Sequence, residues 1–322
     1  MPDMSHPQVL LKTVSVIIPT FRRPEGLRRA LASVAAQAGL KGVGITVIVC
    51  DNSPEGSART QVEAFALTAP FPVIFVHEPH TGVANARNAA VAASQAAFIA
   101  FLDDDEEAPP HWLARLLAAQ EQFRADVVFG PVTARLPDGL TRYRSYFETF
   151  FSRAGPEQSQ VLSHYFGCGN SLVRAAVLPS HEPFSVAQNE LGGEDDILFT
   201  ALKYQNKVMA WAADADVWED VPPHRATLNY TLKRGFAYGQ GPSHSSATNG
   251  RLLTCARWMS QGVVQAAVFA VLAGAAWIVQ SPKTAHLIDK AARGLGKALW
   301  FPPFNMKFYG QTLLKAQKGK SA

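Results

Sequence analysis

Residues 98–107 read Phe-Ile-Ala-Phe-Leu-Asp-Asp-Asp-Glu-Glu, five apolar residues followed without a break by five carboxylates. The apolar half is typical of a fully buried strand, so the strand is predicted to deliver a dense negative cluster to its C-terminal end. Neighbouring carboxylates raise one another's pKa, which makes such a cluster unfavourable unless water solvates it or a cation neutralises it. A solvated acidic turn before a helix that begins near Pro109 explains the run equally well, because charge blocks usually face solvent.

The spacing of the three aspartates suits a bound cation. Side chains alternate along an extended chain, so Asp103 and Asp105 are expected on one side and Asp104 on the other. Two carboxylates on one side suit a hard divalent ion such as Mg²⁺ or Mn²⁺, which keeps its remaining positions for water and substrate phosphates. Asp103 and Asp105 are therefore candidate metal ligands.

The residues that precede this stretch predict a parallel sheet. Apolar or β-branched runs alternate with helical patterns, which is typical of an α/β fold with helices on both faces of the sheet. Ligands bind beyond the carboxyl ends of the strands in such sheets. Pro19, Thr20, Asp51 and the aspartates all fall at those ends, so we expect them to line one crevice. The predicted strands are 13–18, 45–50, 73–76 and one ending at Asp103, and the predicted helices begin at Pro24, lie around Glu63, and cover 84–96.

Two common phosphate-binding motifs are missing from the sequence. No Gly-x-Gly-x-x-Gly follows the first strand, and no complete Gly-x-x-x-x-Gly-Lys-Ser/Thr loop occurs. Their absence argues against a dinucleotide dehydrogenase and a P-loop nucleotidase. Phosphates are then expected to be held by the metal and by basic side chains such as Arg22, Arg23 and Arg87.

A second acidic group lies at residues 192–196, Gly-Gly-Glu-Asp-Asp, directly before a helical pattern. A helix N-terminus stabilises negative charge, so an ordinary helix cap explains Asp195 or Asp196 as well as a catalytic role does. Together with a metal-binding cluster, a separate carboxylate tied to no cation supplies what sugar transfer needs. The metal neutralises the leaving phosphate, and the carboxylate takes a proton from the attacking hydroxyl.

Three further segments are less specific. Residues 126–132 predict another strand. Residues 135–163 are polar and aromatic without clear periodicity, which predicts a mobile or acceptor-facing insertion. Residues 167–173 combine small residues with a short predicted strand. Small side chains let a ligand approach the backbone, although an ordinary turn also explains them.

The composition is that of a globular chain of 322 residues, 48% apolar and 17% charged, long enough for one large domain or two modest ones. The net charge is only +4, which favours phosphate ligands or a membrane surface over nucleic acid. Cys50, Cys168 and Cys255 lack metal-ligand spacing, so we expect free thiols in a reducing cytosol. No signal peptide is recognised, which predicts a cytoplasmic location for the N-terminal part.

Taken together, these motifs resemble the family-2 glycosyltransferases, a large bacterial class that moves sugars from nucleotide-sugar donors. The resemblance covers residues 12–240. It implies a GT-A fold (Rossmann-like), a metal-assisted nucleoside-diphosphate leaving group and inversion at the anomeric carbon. The motifs are residues 14–23 (Val-Ser-Val-Ile-Ile-Pro-Thr-Phe-Arg-Arg), Asp51, residues 82–88 (Gly-Val-Ala-Asn-Ala-Arg-Asn), residues 103–105, Gly169-Asn170, and residues 193–196.

The resemblance also implies roles for individual residues. Asp51 is expected to contact the nucleobase, and Thr20 with the backbone around Pro19 lines the nucleoside pocket. Asp195 is the expected general base, and Glu194 assists it or holds the acceptor. The predicted nucleotide-binding residues are Pro19, Thr20, Arg22, Asp51, Arg87, Asp103, Asp104, Arg225 and Arg234. The predicted metal ligands are Asp103, Asp105, which is the principal one, and His224.

The segment after the predicted base resembles exopolysaccharide-type members of the family. Some relatives place a histidine near His224, which makes it a predicted metal or phosphate contact, although a lone histidine is often structural. Arg225 and Arg234 are the predicted phosphate partners. Processive members carry Gln-x-x-Arg-Trp, whereas residues 254–258 read Thr-Cys-Ala-Arg-Trp. The missing glutamine predicts a transferase that adds a single sugar.

The C-terminal region, residues 241–322, is predicted to be helical and membrane-associated. Residues 262–279 hold one polar residue, Gln265, and span about 27 Å as a helix, just enough for a bilayer core. Eight of these 18 residues are Ala or Gly, which leaves a buried soluble helix as the alternative. Residues 284–300 predict a basic amphipathic helix, typical of a membrane interface. Basic residues flank the apolar run on both sides, so the positive-inside rule gives no orientation.

The sequence therefore predicts a GT-A domain at 12–240 on the cytoplasmic face of the inner membrane. The expected acceptor is a glycan or lipid-linked hydroxyl in cell-surface polysaccharide assembly. UDP is the expected donor nucleotide because most relatives use it, with GDP and dTDP left open.

Two rival functions remain at this stage. A nucleotidyltransferase usually carries a glycine-rich basic loop after the first strand, which residues 19–23 do not form. A non-catalytic nucleotide-binding or membrane scaffold is disfavoured by the presence of Asp105 and Asp195 in their motif positions.

Overall fold

The computed structural model describes residues 12–189, 192–304 and 306. Within these ranges the chain divides into two units. The first contains residues 12–133 and 153–219, and the second contains residues 134–152 and 220–304. The boundary predicted between residues 240 and 241 falls inside a helix of the second unit. Whether residues 12–240 fold as a separate domain is not settled by this division, so the predicted boundary stays a prediction.

Most of the first unit is built on one mixed sheet. The strands formed by the described residues are β1 (Lys12–Thr20), β2 (Val43–Asp51), β3 (Val73–His77), β4 (Phe98–Phe101), β5 (Glu106–Glu107), β6 (Val127–Phe129), β7 (Val132–Arg135), β8 (Gln160–Val161), β9 (Ser171–Arg174), β10 (Met209–Trp211) and β11 (Val217–Asp220). Eight of them pair in the order β3-β2-β1-β4-β9-β6-β10-β8, and β5, β11 and β7 form a second sheet. The predicted parallel strands are confirmed for β1 to β4, whereas β9 runs antiparallel to β4 and β6.

Helices cover both faces of the large sheet, as predicted. Side chains alternate along β1, so Val16 packs in one cluster with Leu31 and Trp112, while Ile17 packs in the other with Ala86. The helices of the described chain are α1 (Pro24–Ala35), α2 (Arg59–Ala66), α3 (Val83–Ala92), α4 (Trp112–Phe123), α5 (Arg144–Phe151), α6 (Glu194–Tyr204), α7 (Leu228–Thr248), α8 (Leu252–Ile278) and α9 (Thr284–Ala298).

The aspartates lie in a turn and not on a strand. β4 ends at Phe101, and the chain turns before β5 begins. The prediction that Asp103 and Asp105 share one side, with Asp104 on the other, is wrong. Asp104 and Asp105 both accept hydrogen bonds from Arg23, whereas Asp103 faces Arg87. Alternation requires repeated extended dihedral angles, and a turn does not repeat them.

The mobile or acceptor-facing insertion predicted at residues 135–163 stays a prediction, although part of this stretch is a buried helix. This stretch contains α5, in which Tyr146 and Phe147 are each only 2% exposed. Both pack in a cluster of the second unit with Val221 and Ala285. The helix has eight residues, so its apolar repeat is too short to give a clear periodicity.

Three long helices, α7, α8 and α9, make up most of the second unit. The apolar and amphipathic helices predicted at 262–279 and 284–300 correspond to α8 and α9. Glycines bring these two helices into backbone contact, because a Cβ on Gly262 would lie 2.6 Å from the Gly294 carbonyl oxygen. Among the residues described, α8 is the one helix whose length and composition would allow it to cross a membrane.

Candidate active site

The predicted crevice residues lie at one edge of the large sheet. β1 sits between β2 and β4, and Thr20 at the end of β1 pairs with Asp51 at the end of β2. The backbone N–H of Leu102 donates to the Ile17 carbonyl at 3.1 Å. This hydrogen bond keeps the chain beside β1 where it leaves β4 and enters the acidic turn. Pro19 precedes Thr20 in β1. The sheet therefore gathers the first, second and fourth strand ends, as the sequence predicted.

Asp104 is buried beneath this edge. Its carboxylate accepts hydrogen bonds from the Thr20 hydroxyl at 2.8 Å and from Arg23 at 2.8 Å. Arg23 also donates to Asp105 at 2.6 Å. Burial raises the pKa of Asp104 to about 6, and Arg23 acts in the opposite direction. Asp104 thus ties the acidic turn to the start of α1, and Gly26 gives room because a Cβ there would collide with the Asp104 carbonyl oxygen.

Arg87 of α3 joins the two acidic groups of the sequence. It is 5% exposed, donates to Glu194 at 2.5 Å, and lies 3.3 Å from an oxygen of Asp103. Its guanidinium also sits over the Phe184 ring, 5.6 Å from the ring centre. Burial raises the pKa of Glu194 and Arg87 opposes that rise. Two carboxylates from distant parts of the chain therefore share one buried cation.

Asp195, the predicted base, has a different environment. One carboxylate oxygen accepts from the Cys168 N–H at 3.0 Å, and the other accepts from the Asp196 N–H at 2.9 Å. Asp195 forms no ion pair with any residue that the structure describes. Asp196 is exposed and points its backbone N–H at Asp195. These contacts fix the Asp195 carboxylate without neutralising its charge.

The turn at residues 167–170, which we call the glycine turn, passes both groups of carboxylates. A Cβ on Gly169 would lie 2.9 Å from oxygens of Asp103 and Glu106, and a Cβ on Gly167 would lie 3.3 Å from an Asp195 oxygen. Side chains at these two positions would therefore meet the carboxylates on either side. The backbone of the glycine turn therefore packs closely against Asp103 at Gly169 and against Asp195 at Gly167.

Arg153 was missed by the sequence analysis. Its guanidinium donates to the carbonyl oxygens of Gly167 at 2.7 Å, Gly130 at 3.1 Å and Asn170 at 3.2 Å, and also to that of Gly169. Burial lowers the pKa of Arg153, with Glu106 and Asp103 acting in the opposite direction. A single arginine in an aperiodic stretch carries no sequence signal of this role.

Asp51 and Arg22 make contacts that the resemblance did not imply. Asp51 is fully buried, and its two oxygens accept from the backbone N–H groups of Ser53 at 2.8 Å and Ala58 at 2.6 Å. Arg22 forms a solvent-exposed pair with Glu55 at 2.6 Å. Asp51 thus shapes the loop after β2, and its contact with a nucleobase stays a prediction.

Three predicted site residues belong to the second unit. His224 and Arg225 lie in the loop before α7, and the Arg225 guanidinium is 6.0 Å from the ring centre of Tyr230. Arg234 lies within α7 and donates to the Tyr238 hydroxyl at 2.7 Å. Their roles at metal or phosphate stay predictions.

The acidic turn provides the oxygen donors that a hard divalent ion prefers. Within residues 12–189, 192–304 and 306, no three His, Cys, Asp or Glu side chains form a group that could hold a metal ion. Asp103 is 35% exposed, and Gly169 lacks the Cβ that would lie 2.9 Å from one of its oxygens. Mg²⁺ needs only one or two carboxylates when substrate phosphates and water complete its shell, so Asp103 offers such an ion a partly exposed carboxylate, whereas Asp105 is paired with Arg23 and its role as a metal ligand stays a prediction.

Comparison with known proteins shows the family to which the chain belongs. The family described as glycosyl transferase family 2 matches residues 15–180, over half of the chain. The chain belongs to this family. The succinoglycan biosynthesis protein ExoM of Rhizobium meliloti (strain 1021) is 34% identical to this glycosyltransferase over 240 residues, 74% of this chain and 75% of ExoM. Glycosyltransferase AglE of Haloferax volcanii is 25% identical over 292 residues, 90% of this chain and 88% of AglE.

Among solved structures, S. aureus TarS has a TM-score of 0.49 and 17% identity to this glycosyltransferase, covering 70% of this chain and 39% of that one. Family membership confirms the predicted GT-A fold and transferase class. It favours the transferase over a nucleotidyltransferase. The individual site residues, the metal and single addition stay predictions.

Proposed function

We propose that this glycosyltransferase moves a sugar, with inversion, from a nucleotide-sugar donor to a hydroxyl of a glycan or lipid-linked acceptor in cell-surface polysaccharide assembly. The arrangement of carboxylates around the glycine turn carries the proposal. Asp103 and its neighbours lie beside Gly169, whereas Asp195 lies beside Gly167 and makes no ion pair with the residues described. Inversion by one displacement needs a leaving-group site and a base on separate sides of the sugar.

Asp195 is the proposed base. As the acceptor oxygen forms its bond to the anomeric carbon, the bond to the donor diphosphate breaks and the acceptor proton passes to an Asp195 oxygen. The Cys168 and Asp196 N–H groups hold that carboxylate in one orientation. Glu194, which was predicted to assist the base or hold the acceptor, is bound to Arg87, and we propose that it also positions the start of α6. Orientation of this kind supplies a large share of the rate in displacement reactions.

Asp103 and Asp105 are the residues proposed to hold a Mg²⁺ or Mn²⁺ ion. When bound, such an ion offsets the charge of the leaving diphosphate. Arg23 and Arg87 keep the two carboxylates in place through the contacts described above. UDP is the proposed donor nucleotide, following the family resemblance, and the buried Asp51 and Thr20 would shape the loops beside its pocket.

Membrane attachment at the cytoplasmic face is the remaining part of the proposal. It is supported by the length and apolar composition of α8. A lipid-linked acceptor would then reach the enzyme by diffusing in the membrane. ExoM, the relative named above, is a succinoglycan biosynthesis protein, which agrees with a role in making an exported polysaccharide.

The test is release of nucleoside diphosphate from a panel of UDP-, GDP- and dTDP-sugars, with and without Mn²⁺. The variants are Asp105→Ala, Asp195→Asn and, as a matched control, Asp196→Asn. We expect metal-dependent turnover of one donor, lost in the first two variants and retained in the control. Asp195→Asn should still bind the donor. Loss of activity in Asp196→Asn with full activity in Asp195→Asn would move the base by one residue, and absence of nucleotide binding would favour a scaffold.

A further inference from the structure

We infer that α8 lies in the plane of an anionic membrane surface, with its apolar face in one leaflet, and does not cross the bilayer. This topology rests on the membrane attachment proposed above.

An exposed apolar face runs along α8. Val264, Val268, Val271 and Ile278 follow one another at spacings of four, three and seven residues, so they share one side of the helix. They are 63%, 49%, 73% and 76% exposed. Large contiguous apolar surfaces are rare on soluble monomers and mark contact with an apolar partner. Further exposed apolar side chains on the flanks are Val263, Leu272, Trp277 and Val279.

The opposite face of α8 is committed to α9. Gly262, Ala266 and Ala273 are buried there. A Cβ on Gly294 of α9 would lie 2.7 Å from the Ala266 nitrogen, so the two backbones touch. Because the two helices are packed this closely, α9 must enter the membrane together with α8 and to a similar depth.

One charged group of α9, Lys290, lies level with the apolar centre of α8, and a second, Lys297, lies nearer the start of the apolar run. The Lys290 ammonium is 5.0 Å from the ring centre of Phe269, which is close to the midpoint of residues 262–279. Lys297 donates to the side chain of Gln265 at 2.8 Å. A helix crossing the bilayer would place Lys290 near its centre, too deep for the side chain to reach the headgroups, and charges at that depth are strongly disfavoured. A helix lying in the surface keeps these groups among the headgroups.

The basic residues at both ends of α8 agree with the same topology. Arg251 and Arg257 lie at the start of the helix, and Lys283 follows its end. Cytoplasmic segments carry the excess of Lys and Arg, so a spanning helix would place one of these ends on the disfavoured side. In the plane of the membrane both ends stay on the cytoplasmic side, where anionic lipids attract them.

Cysteine labelling in bacterial spheroplasts tests the topology on the full chain. Single reporters Thr254→Cys and Pro282→Cys stand before and after the apolar run, and Thr68→Cys marks the first unit. All three positions are exposed, and the native cysteines are buried. An impermeant maleimide is added before or after lysis. We expect the protein in the membrane fraction, with no reporter labelled in intact spheroplasts and all three labelled after lysis.

Two results would overturn the inference in different ways. Labelling of either Thr254→Cys or Pro282→Cys in intact spheroplasts would show a spanning helix and leave membrane attachment standing. Recovery of the protein in the soluble fraction would refute attachment itself. Donor hydrolysis is measured separately, so neither result bears on the proposed chemistry.

Vesicle flotation tests the apolar face and the charge. We expect the purified protein to float with vesicles of phosphatidylcholine and phosphatidylglycerol, and to float less as salt rises. Val264→Asn, Val268→Asn and Val271→Asn together should abolish flotation, because each removes exposed apolar contact. Leu67→Asn, at a position 87% exposed in the first unit, is the matched control and should float as wild type. Undiminished flotation of the triple variant would refute the assigned face.

Discussion

Arg153 links the main chain of the glycine turn to the chemistry proposed for its neighbours. A guanidinium offers five N–H donors in a planar fork, and here the fork serves the carbonyl oxygens of Gly130, Gly167, Gly169 and Asn170. The same turn supplies the Cys168 N–H that orients Asp195. A residue without direct substrate contact can therefore set the position of the proposed base.

We expect Arg153→Lys to lower kcat about tenfold to a hundredfold, since small displacements of a reacting group have effects of that size. Lysine carries a compact ammonium and cannot serve four carbonyl groups at once. Steady-state kinetics on the donor identified above measures the change. Arg28→Lys, in an exposed pair with Glu25, is the control. An unchanged kcat in Arg153→Lys would mean that the turn holds its position without the guanidinium.

The buried thiols should be unreactive in the folded protein. Burial raises the pKa of Cys50 to about 12, with Glu78 and Asp51 adding to the rise, and burial also raises that of Cys168. The thiolate is the form that alkylates, so we expect no maleimide adduct at pH 8 by mass spectrometry before denaturation. Denatured protein, as the control, should react at all three cysteines. An adduct on native Cys50 would contradict the burial described.

The raised pKa of Cys50 also predicts that the folded protein becomes less stable as the pH rises. The folded pKa of Cys50 lies above its ordinary value of 9.0, so folding favours the protonated thiol. The stabilisation is complete below pH 9 and is lost as the pH rises through about 12. Cys50→Ala should therefore lose less stability than wild type over that range, as measured by chemical denaturation. Parallel curves for the two proteins would show that Cys50 does not contribute.

At the scale of elements, backbone contact between α8 and α9 depends on glycine. We expect Gly262→Ala to lower the free energy of unfolding by about 1–3 kcal/mol, because its Cβ would press on Gly294 and Lys297. Gly274 is in the same helix with nothing within 4 Å of a Cβ, so Gly274→Ala is the matched control. It should raise stability by up to about 1 kcal/mol through helix propensity. Chemical denaturation of the detergent-solubilised protein measures the free energy of unfolding of both variants. Equal changes in the two variants would refute close packing of α8 on α9.

Features determined by consecutive residues could be predicted from the sequence, whereas features that depend on contacts between distant residues could not. β1 and β2 are runs of β-branched residues, so a few consecutive residues are enough to predict a buried strand. The side-chain directions of Asp103 and Asp105 depend on a turn that ends β4 earlier than the apolar run suggested. Those directions also depend on Arg23 and Arg87, which are distant in sequence. α5 was missed because two helical turns give too short a repeat, and Arg153 because its partners are carbonyl groups, which every residue carries.

At the scale of the whole molecule, the second unit is not a C-terminal appendage. Residues 134–152 belong to it and interrupt the first unit in sequence. Their helix α5 contributes Tyr146 and Phe147 to a cluster completed by Val221, Ala226 and Ala285. The chain must therefore bring segments from its middle and its end together before this cluster is covered.

A chain shortened to residues 1–240 tests this organisation against the boundary predicted from sequence. The cut falls within α7 and removes α9, so it uncovers Tyr146 and Phe147, which are each 2% exposed in the full chain. Exposed aromatic surface of this kind favours association over folding. We expect the 1–240 chain to aggregate in gel filtration and to lose cooperative thermal unfolding, whereas the full chain, as the control, stays monodisperse and unfolds cooperatively. A monodisperse 1–240 chain with a cooperative transition would instead establish residue 240 as a domain boundary, and would mean that α5 is stable without the helices that cover it.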